Sequence, residues 1–107
     1  MSEPILQTVA RYYRGWENTD RDAIVATLAD SFVFRAPMDD FDSSEAFLDA
    51  CLERFGGMAF EFDSRLATDD EAVVLYRMPD GLPVAEHLRL IDGKIAAIRV
   101  YFGGRTS

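Results

Sequence analysis

The feature that most constrains this chain is a change of period at Gly56-Gly57. Before it, apolar residues recur every three or four positions; after it they recur every second position, in segments joined by very short turns. Met58, Phe60 and Phe62 alternate with Ala59, Glu61 and Asp63 in a predicted strand that runs towards Leu66, and Thr68-Asp69-Asp70-Glu71 turns it. Val73 to Met78 reads as a strand apolar on both faces, Pro79-Asp80-Gly81 as a turn, and Val84 to Ile91 as the next strand. Asp92-Gly93 is a two-residue hairpin signal leading into Ile95 to Phe102. A parallel arrangement of these strands would need crossover connections of about a dozen residues or more, and the turns leave no room for them. The late strands therefore form an antiparallel meander, which excludes a doubly wound nucleotide-binding sheet.

The first half is helical. Ile5, Val9, Tyr12, Tyr13 and Trp16 form one stripe of a helix over residues 4 to 17, opened by Ser2 with Pro4 in its first turn. Asn18-Thr19-Asp20 breaks it. Thr19 or Asp20 caps a short second helix whose inner stripe is Ala23, Ile24, Thr27 and Leu28, ended by Ala29-Asp30-Ser31. Phe32 to Ala36 reads as a strand stopped by Pro37, with Met38-Asp39-Asp40-Phe41 as a loop. Asp42 and Glu45 have capping-box spacing ahead of a third helix that buries Phe47, Leu48, Cys51, Leu52 and Phe55. Helices grouped before a meander predict an α+β fold in which a curved sheet wraps around its helices.

With 107 residues, 49% apolar and 28% charged, the chain is expected to be a single globular domain over 1–107. Nineteen acidic against eleven basic residues give a net charge of −8, which disfavours nucleic acid and anionic membrane surfaces as partners. Cys51 is the only cysteine, so no intrachain disulfide forms, and the start Met-Ser-Glu-Pro-Ile-Leu-Gln has no signal-peptide pattern. A cytoplasmic protein is expected. No nucleotide-loop, zinc-protease or serine-hydrolase motif occurs, and the single histidine, His87, has no Cys or His at ligand spacing, so neither cofactor nor metal is expected.

Within this frame Glu86 is out of place. In Val84-Ala85-Glu86-His87-Leu88-Arg89-Leu90 its parity matches Val84, Leu88 and Leu90, whereas His87 and Arg89 face the other way. A carboxylate among aliphatic side chains must be paired, hydrogen-bonded or protonated. A tyrosine hydroxyl, a backbone amide or Arg99 could satisfy it. Burial would raise its pKa.

Three segments carry a family resemblance: Val9-Ala10-Arg11-Tyr12-Tyr13 with Trp16-Glu17-Asn18-Thr19-Asp20; Leu28-Ala29-Asp30-Ser31-Phe32-Val33-Phe34-Arg35-Ala36-Pro37; and Asp92 to Phe102. In these the chain resembles the SnoaL-like part of the NTF2-like superfamily, which includes polyketide cyclases, ketosteroid isomerases and limonene-epoxide hydrolases. The resemblance implies a cystatin/NTF2-like cone: a curved antiparallel sheet wrapped around N-terminal helices, enclosing a pocket and often forming a homodimer through the outer sheet faces. By comparison with ketosteroid isomerases, Tyr12 matches a first-helix tyrosine and Glu86 a late-strand acid, whereas Ala36 stands where the catalytic base precedes the proline. Stabilising an oxyanion does not remove a proton, so isomerisation by that route is not expected. The acid that limonene-epoxide hydrolases carry on the final strand is Val100 here, so that chemistry is not expected either.

Tyr12 and Glu86 are thus the candidate catalytic pair. The expected wall takes Trp16 from the first helix, Phe34, Ala36 and Met38 from the first strand and its loop, and Phe55, Met58 and Phe60 from around the glycine pair. Met78, Leu88, Ile98, Val100 and Phe102 complete it from the meander. Asp39, Asp40 and Asp42 lie near the mouth, where a turn and a helix cap explain them and where one could replace the missing base. Cys51 reads as a buried, inert thiol. On the opposite sheet face, Val73, Leu75 and Ile91 accompany Arg77, His87, Arg89 and Arg99, as a dimer contact or a solvated surface. Two functions fit: an apolar pocket for a small molecule with a carbonyl or hydroxyl group, with Glu86 as acid or base of an isomerase, cyclase or lyase; or a non-catalytic homodimeric binding or scaffolding module.

Overall fold

The apolar stripe of the first helix sets how the rest of the chain is arranged. In the computed structural model, which describes residues 3–37, 39–58 and 60–103, this helix is α1 (Glu3–Glu17), with Ile5, Val9, Tyr12, Tyr13 and Trp16 all buried. Ser2, expected to open the helix, lies outside the described residues. Thr19 turns the chain with a φ of 51°, and the amide of Asp20 donates to the Gly15 carbonyl at 2.8 Å. Of the two candidate caps Asp20 takes the role, its carboxylate accepting from the Ala23 amide ahead of α2 (Arg21–Val25).

The second helix is shorter than its pattern suggested. Thr27 and Leu28 are not on its stripe: the Thr27 carbonyl accepts from the Ile95 amide, and Leu28 opens β1 (Leu28–Arg35), opposite Ile95. Ala29-Asp30-Ser31 therefore belongs to a strand, because pairing with a distant partner outweighs local propensity. The expected loop also contains a short strand, β2 (Asp40–Phe41), opposite Phe34 and Arg35. Asp42 does not cap the next helix. It pairs with Arg35 at 2.7 Å, and Ser43 caps α3 (Ser44–Phe55) by accepting from the Ala46 amide.

After α3, Gly57 adopts a φ of 81° and donates its amide to the Trp16 carbonyl, tying the glycine turn to the end of α1. Regular pairing then begins with β3 (Glu61–Ala67), so Met58 and Phe60 precede the strand in which they were expected, and Ala59 lies outside the described residues. β4 (Glu71–Arg77), β5 (Pro83–Ile91) and β6 (Lys94–Phe102) follow. The six-stranded curved sheet has the order β2-β1-β6-β5-β4-β3.

From β3 to β6 the sheet is the expected antiparallel meander, whereas β1 runs parallel to β6. No short turn links that pair. α3 and four strands separate β1 from β6, so hairpin logic does not govern their direction. α1 packs against β3 and β4 at one side of the inner face, and α3 packs against β1 and β2 at the other. Phe32, Ile24, Leu48, Leu88, Ile95, Ile98, Val9 and Val74 are the largest wholly buried side chains. Among the described residues, no helix is long and apolar enough to cross a membrane.

The α1–α2 junction depends on Gly15. A Cβ there would stand 2.7 Å from Ile24 Cγ1 and 3.2 Å from the Ile24 backbone nitrogen. Exchanging glycine for alanine inside a helix gains about 1 kcal/mol of propensity, whereas forcing apart a packed junction costs about 1–3 kcal/mol. Gly15→Ala is therefore expected to lower stability by up to about 2 kcal/mol in urea or thermal denaturation; a raised midpoint would show that α2 yields freely.

Candidate functional site

Strand parity turns Glu86 inward with Val84, Leu88 and Leu90, and the residue is 8% exposed. Its satisfaction comes from two tyrosines. The Tyr13 hydroxyl, from α1, donates to Oε1 at 2.6 Å, and the Tyr76 hydroxyl, from β4, donates to Oε2. Val74 is the direct cross-strand partner of Glu86, so Tyr76, two residues further along the same face, reaches the carboxylate diagonally. Hydrogen bonds to a charged acceptor are the strong ones, and two of them offset much of the cost of burial.

The electrostatics follow from that enclosure. Burial pushes the Glu86 carboxyl above the ordinary glutamate value, and the two hydroxyls oppose this by favouring the ionised form. Burial raises Tyr13 and Tyr76 as well, with the nearby carboxylate adding to the effect. Both phenols therefore keep their protons. Edge-on rings surround them: Tyr13 lies 5.1 Å from Phe62 and 5.9 Å from Tyr76, and Phe60 lies 5.2 Å from Tyr76, measured between centroids.

Beside this cluster is a largely apolar cavity of about 130 Å³. Among the residues expected around it, Tyr12, Trp16, Phe34, Ala36, Phe55 and Phe60 line it, as do Met78, Glu86, Val100 and Phe102. Leu88 and Ile98 do not. They face each other across β5 and β6 and are sealed into solid core further along the strands. Met58 is also outside the lining, since the glycine turn holds its amide on the Phe55 carbonyl; Met38 lies outside the described residues.

The sequence reading missed Tyr13, Phe47, Tyr76 and Val84 as lining residues, and gave Asp39 and Cys51 other roles. Tyr76 shares the parity of Val74 and faces the strand of Glu86, a signal that strand register could have supplied. Asp39 lines the cavity beside Ala36, whose amide donates to the Asp39 carbonyl at 2.9 Å. Burial raises the Cys51 thiol above its usual pKa.

Tyr12 is not the hydroxyl partner of Glu86. The seating of α1 on β3 and β4 brings the next residue, Tyr13, over Tyr76, while Tyr12 turns toward Trp16, with ring centroids 6.2 Å apart at 73°. The Trp16 side chain is close enough to Tyr12 to favour its ionised form against the larger raising effects of burial and Glu86, although its N–H falls short of hydrogen-bond geometry. Trp16 Nε1 is, among the described residues, the one buried side-chain nitrogen or oxygen without a partner. Arg99 is also excluded as the partner of Glu86, because it lies opposite His87 on the outer face. There His87 Nε2 is 2.5 Å from Glu71 Oε1, and Arg77 pairs with Glu61 and Asp63.

Comparison with known proteins places this geometry. The family model described as the SnoaL-like domain matches residues 9–98. A crystal structure of a protein from Kribbella flavida is similar at a TM-score of 0.79, with 30% identity over 92% of this chain and 85% of that one. A candidate ketosteroid isomerase from the same organism has a TM-score of 0.85 and 16% identity, covering 99% of this chain and 82% of that one. TerC, co-crystallised with polyporic acid, has a TM-score of 0.79 and 17% identity over 94% and 92% of the two chains. No curated protein matches. On the family match the chain belongs to the SnoaL-like domain family, and its likeness to solved NTF2-like proteins shows the NTF2-like fold.

Proposed function

We propose that this protein binds a small, largely apolar molecule carrying a carbonyl or hydroxyl group in the cavity beside Glu86, acting as a cytoplasmic homodimer. The observation that carries this reading is a buried carboxylate kept at the wall of an apolar cavity. A core packed for stability alone gains nothing from burying an acid, which needs two tyrosines to satisfy it. About 130 Å³ is less than the several hundred expected for a drug-sized ligand, and close to the roughly 150 Å³ of an engineered cavity that accepts benzene. The ligand is accordingly about one six-membered ring in size. The polyporic acid of TerC supports the general use of such a fold for small organic molecules.

Glu86 and Tyr12 are the groups through which such a site would work as an isomerase, cyclase or lyase, with Glu86 as acid or base. The alternative is a non-catalytic binding or scaffolding module, favoured by the occupation of both Glu86 oxygens. The dimer reading rests on the outer sheet face. Leu75, Ala85 and Tyr101 stand in one cross-strand row there, with Leu75 38% and Tyr101 52% exposed, and Ile91, at the far end of β5, is 55% exposed.

Three measurements test these readings. A thermal-shift screen of single-ring ketones and phenols is expected to raise the melting temperature, since a compound at ten times its Kd stabilises by about 1.4 kcal/mol; bulkier ligands alone giving shifts would contradict the size assignment. For any compound that is turned over, Glu86→Gln is expected to abolish turnover with folding intact, and unchanged turnover would remove Glu86 as acid or base. Sedimentation at micromolar concentration is expected to give a dimer that Leu75→Arg dissociates, whereas a wild-type monomer would exclude the outer-face contact.

The raised pKa of Glu86 makes a further prediction for stability. Between its unfolded and its higher folded pKa the native state holds a proton that the unfolded state has released. Its contribution is therefore fullest below the ordinary glutamate value and is lost as pH rises through the folded one. Glu86→Gln keeps the polar partners without the titration, so its unfolding free energy is expected to fall less than that of the wild type between about pH 4 and pH 8. Parallel curves for the two proteins in urea titrations would mean that Glu86 titrates normally.

A further inference from the structure

Of the three tyrosines lining the cavity, Tyr13 and Tyr76 are committed to Glu86, and Tyr12 is not. One turn further along α1, Trp16 is 4% exposed and its Nε1 has neither solvent nor a partner among the described residues. A buried donor left unmatched is costly, and native structures rarely retain one without a use. The two rings meet edge-on at 6.2 Å, and the indole side chain is close enough to favour negative charge on the Tyr12 oxygen, although its N–H falls short of hydrogen-bond geometry.

We propose that Trp16 is a positioning residue for Tyr12: when a ligand enters, the indole N–H closes onto the Tyr12 oxygen and leaves the phenolic hydrogen as a fixed donor, so that the cavity selects single-ring compounds bearing an acceptor oxygen. This rests on the reading that the cavity takes a small molecule. A phenol has one hydrogen to give. Once its oxygen accepts from Trp16, that hydrogen points away from the indole and into the cavity. Burial and the neighbouring Glu86 both keep Tyr12 protonated, so it arrives as a donor. The chain Trp16 N–H to Tyr12 O–H to ligand oxygen also strengthens each of its members. A hydrocarbon of the same shape would fill the space and give the Tyr12 hydroxyl no acceptor to bind.

The test compares cyclohexanone with its hydrocarbon isostere, methylenecyclohexane. The chain has a single tryptophan, so its indole N–H resonance needs no assignment. In the wild-type protein cyclohexanone is expected to move that proton downfield, and methylenecyclohexane is not. The ratio of the two affinities is expected to shift about tenfold against the ketone in Trp16→Phe, and similarly in Tyr12→Phe, with hydrocarbon binding retained; one hydrogen bond is of that size. Binding of both compounds with an unmoved indole proton, or with a ratio unaffected by Trp16→Phe, would overturn the positioning role and leave the cavity reading intact. Binding of neither would overturn both. Should Trp16→Phe not fold, the wild-type resonance decides alone: a shift with the ketone only supports the role, and equal or absent shifts refute it.

Discussion

The hydrogen bonds from Tyr13 and Tyr76 to Glu86 are the interaction on which the interior depends. They join α1, β4 and β5 at one buried carboxylate, and so fix where the first helix sits on the sheet. Tyrosine suits the task because its ring belongs to the core while its tip carries a donor. If either hydroxyl were lost, an acceptor would be left unmatched in an apolar setting, at a cost of about 1–3 kcal/mol. The surrounding rings of Phe60 and Phe62 exclude water from the cluster and so raise the stakes of keeping it complete.

The same strands build solid core at one place and cavity at another. On β5 and β6 the facing pair Leu88 and Ile98 is wholly buried, yet Val84, Val100 and Phe102, further along the same face, line open space. The difference lies in the helices. α1 covers β3 and β4 while α3 covers β1 and β2, and between them the inner face opens into a wedge. Trp16, Phe47, Cys51 and Phe55 close it from the helical side.

What the chain reveals before folding follows from the range of each interaction. Periods and turns are local, so the order of elements, the meander and the inward parity of Glu86 are legible from residues a few positions apart. Pairings between distant segments are not. The extension of β1 back to Leu28 depends on Ile95, and the displacement of Asp42 from its capping role depends on Arg35. Within the cavity the wall residues were largely legible from parity, whereas Leu88 and Ile98 show that facing inward does not tell core from lining. The choice between Tyr12 and Tyr13 turns on the rotation of one helix by about 100°, a quantity no local pattern in α1 contains.

Which tyrosine holds Glu86 changes the chemistry open to the cavity. Had Tyr12 been the partner, a carboxyl and a phenol would together have faced a ligand. Instead the carboxylate is engaged on both oxygens, and the unengaged hydroxyl of Tyr12 is a donor. In the proposed reading such a group stabilises an oxygen that gains negative charge, and it cannot remove a proton. A reaction needing a base would draw it from Glu86, at the expense of a tyrosine hydrogen bond, or from Asp39, the other carboxylate in the lining. Asp39 is exposed at the rim and adjoins Ala36. Binding demands no such rearrangement of the buried cluster. In the proposed reading, recognition of an acceptor oxygen is thus the primary property of the site, with any turnover built on it.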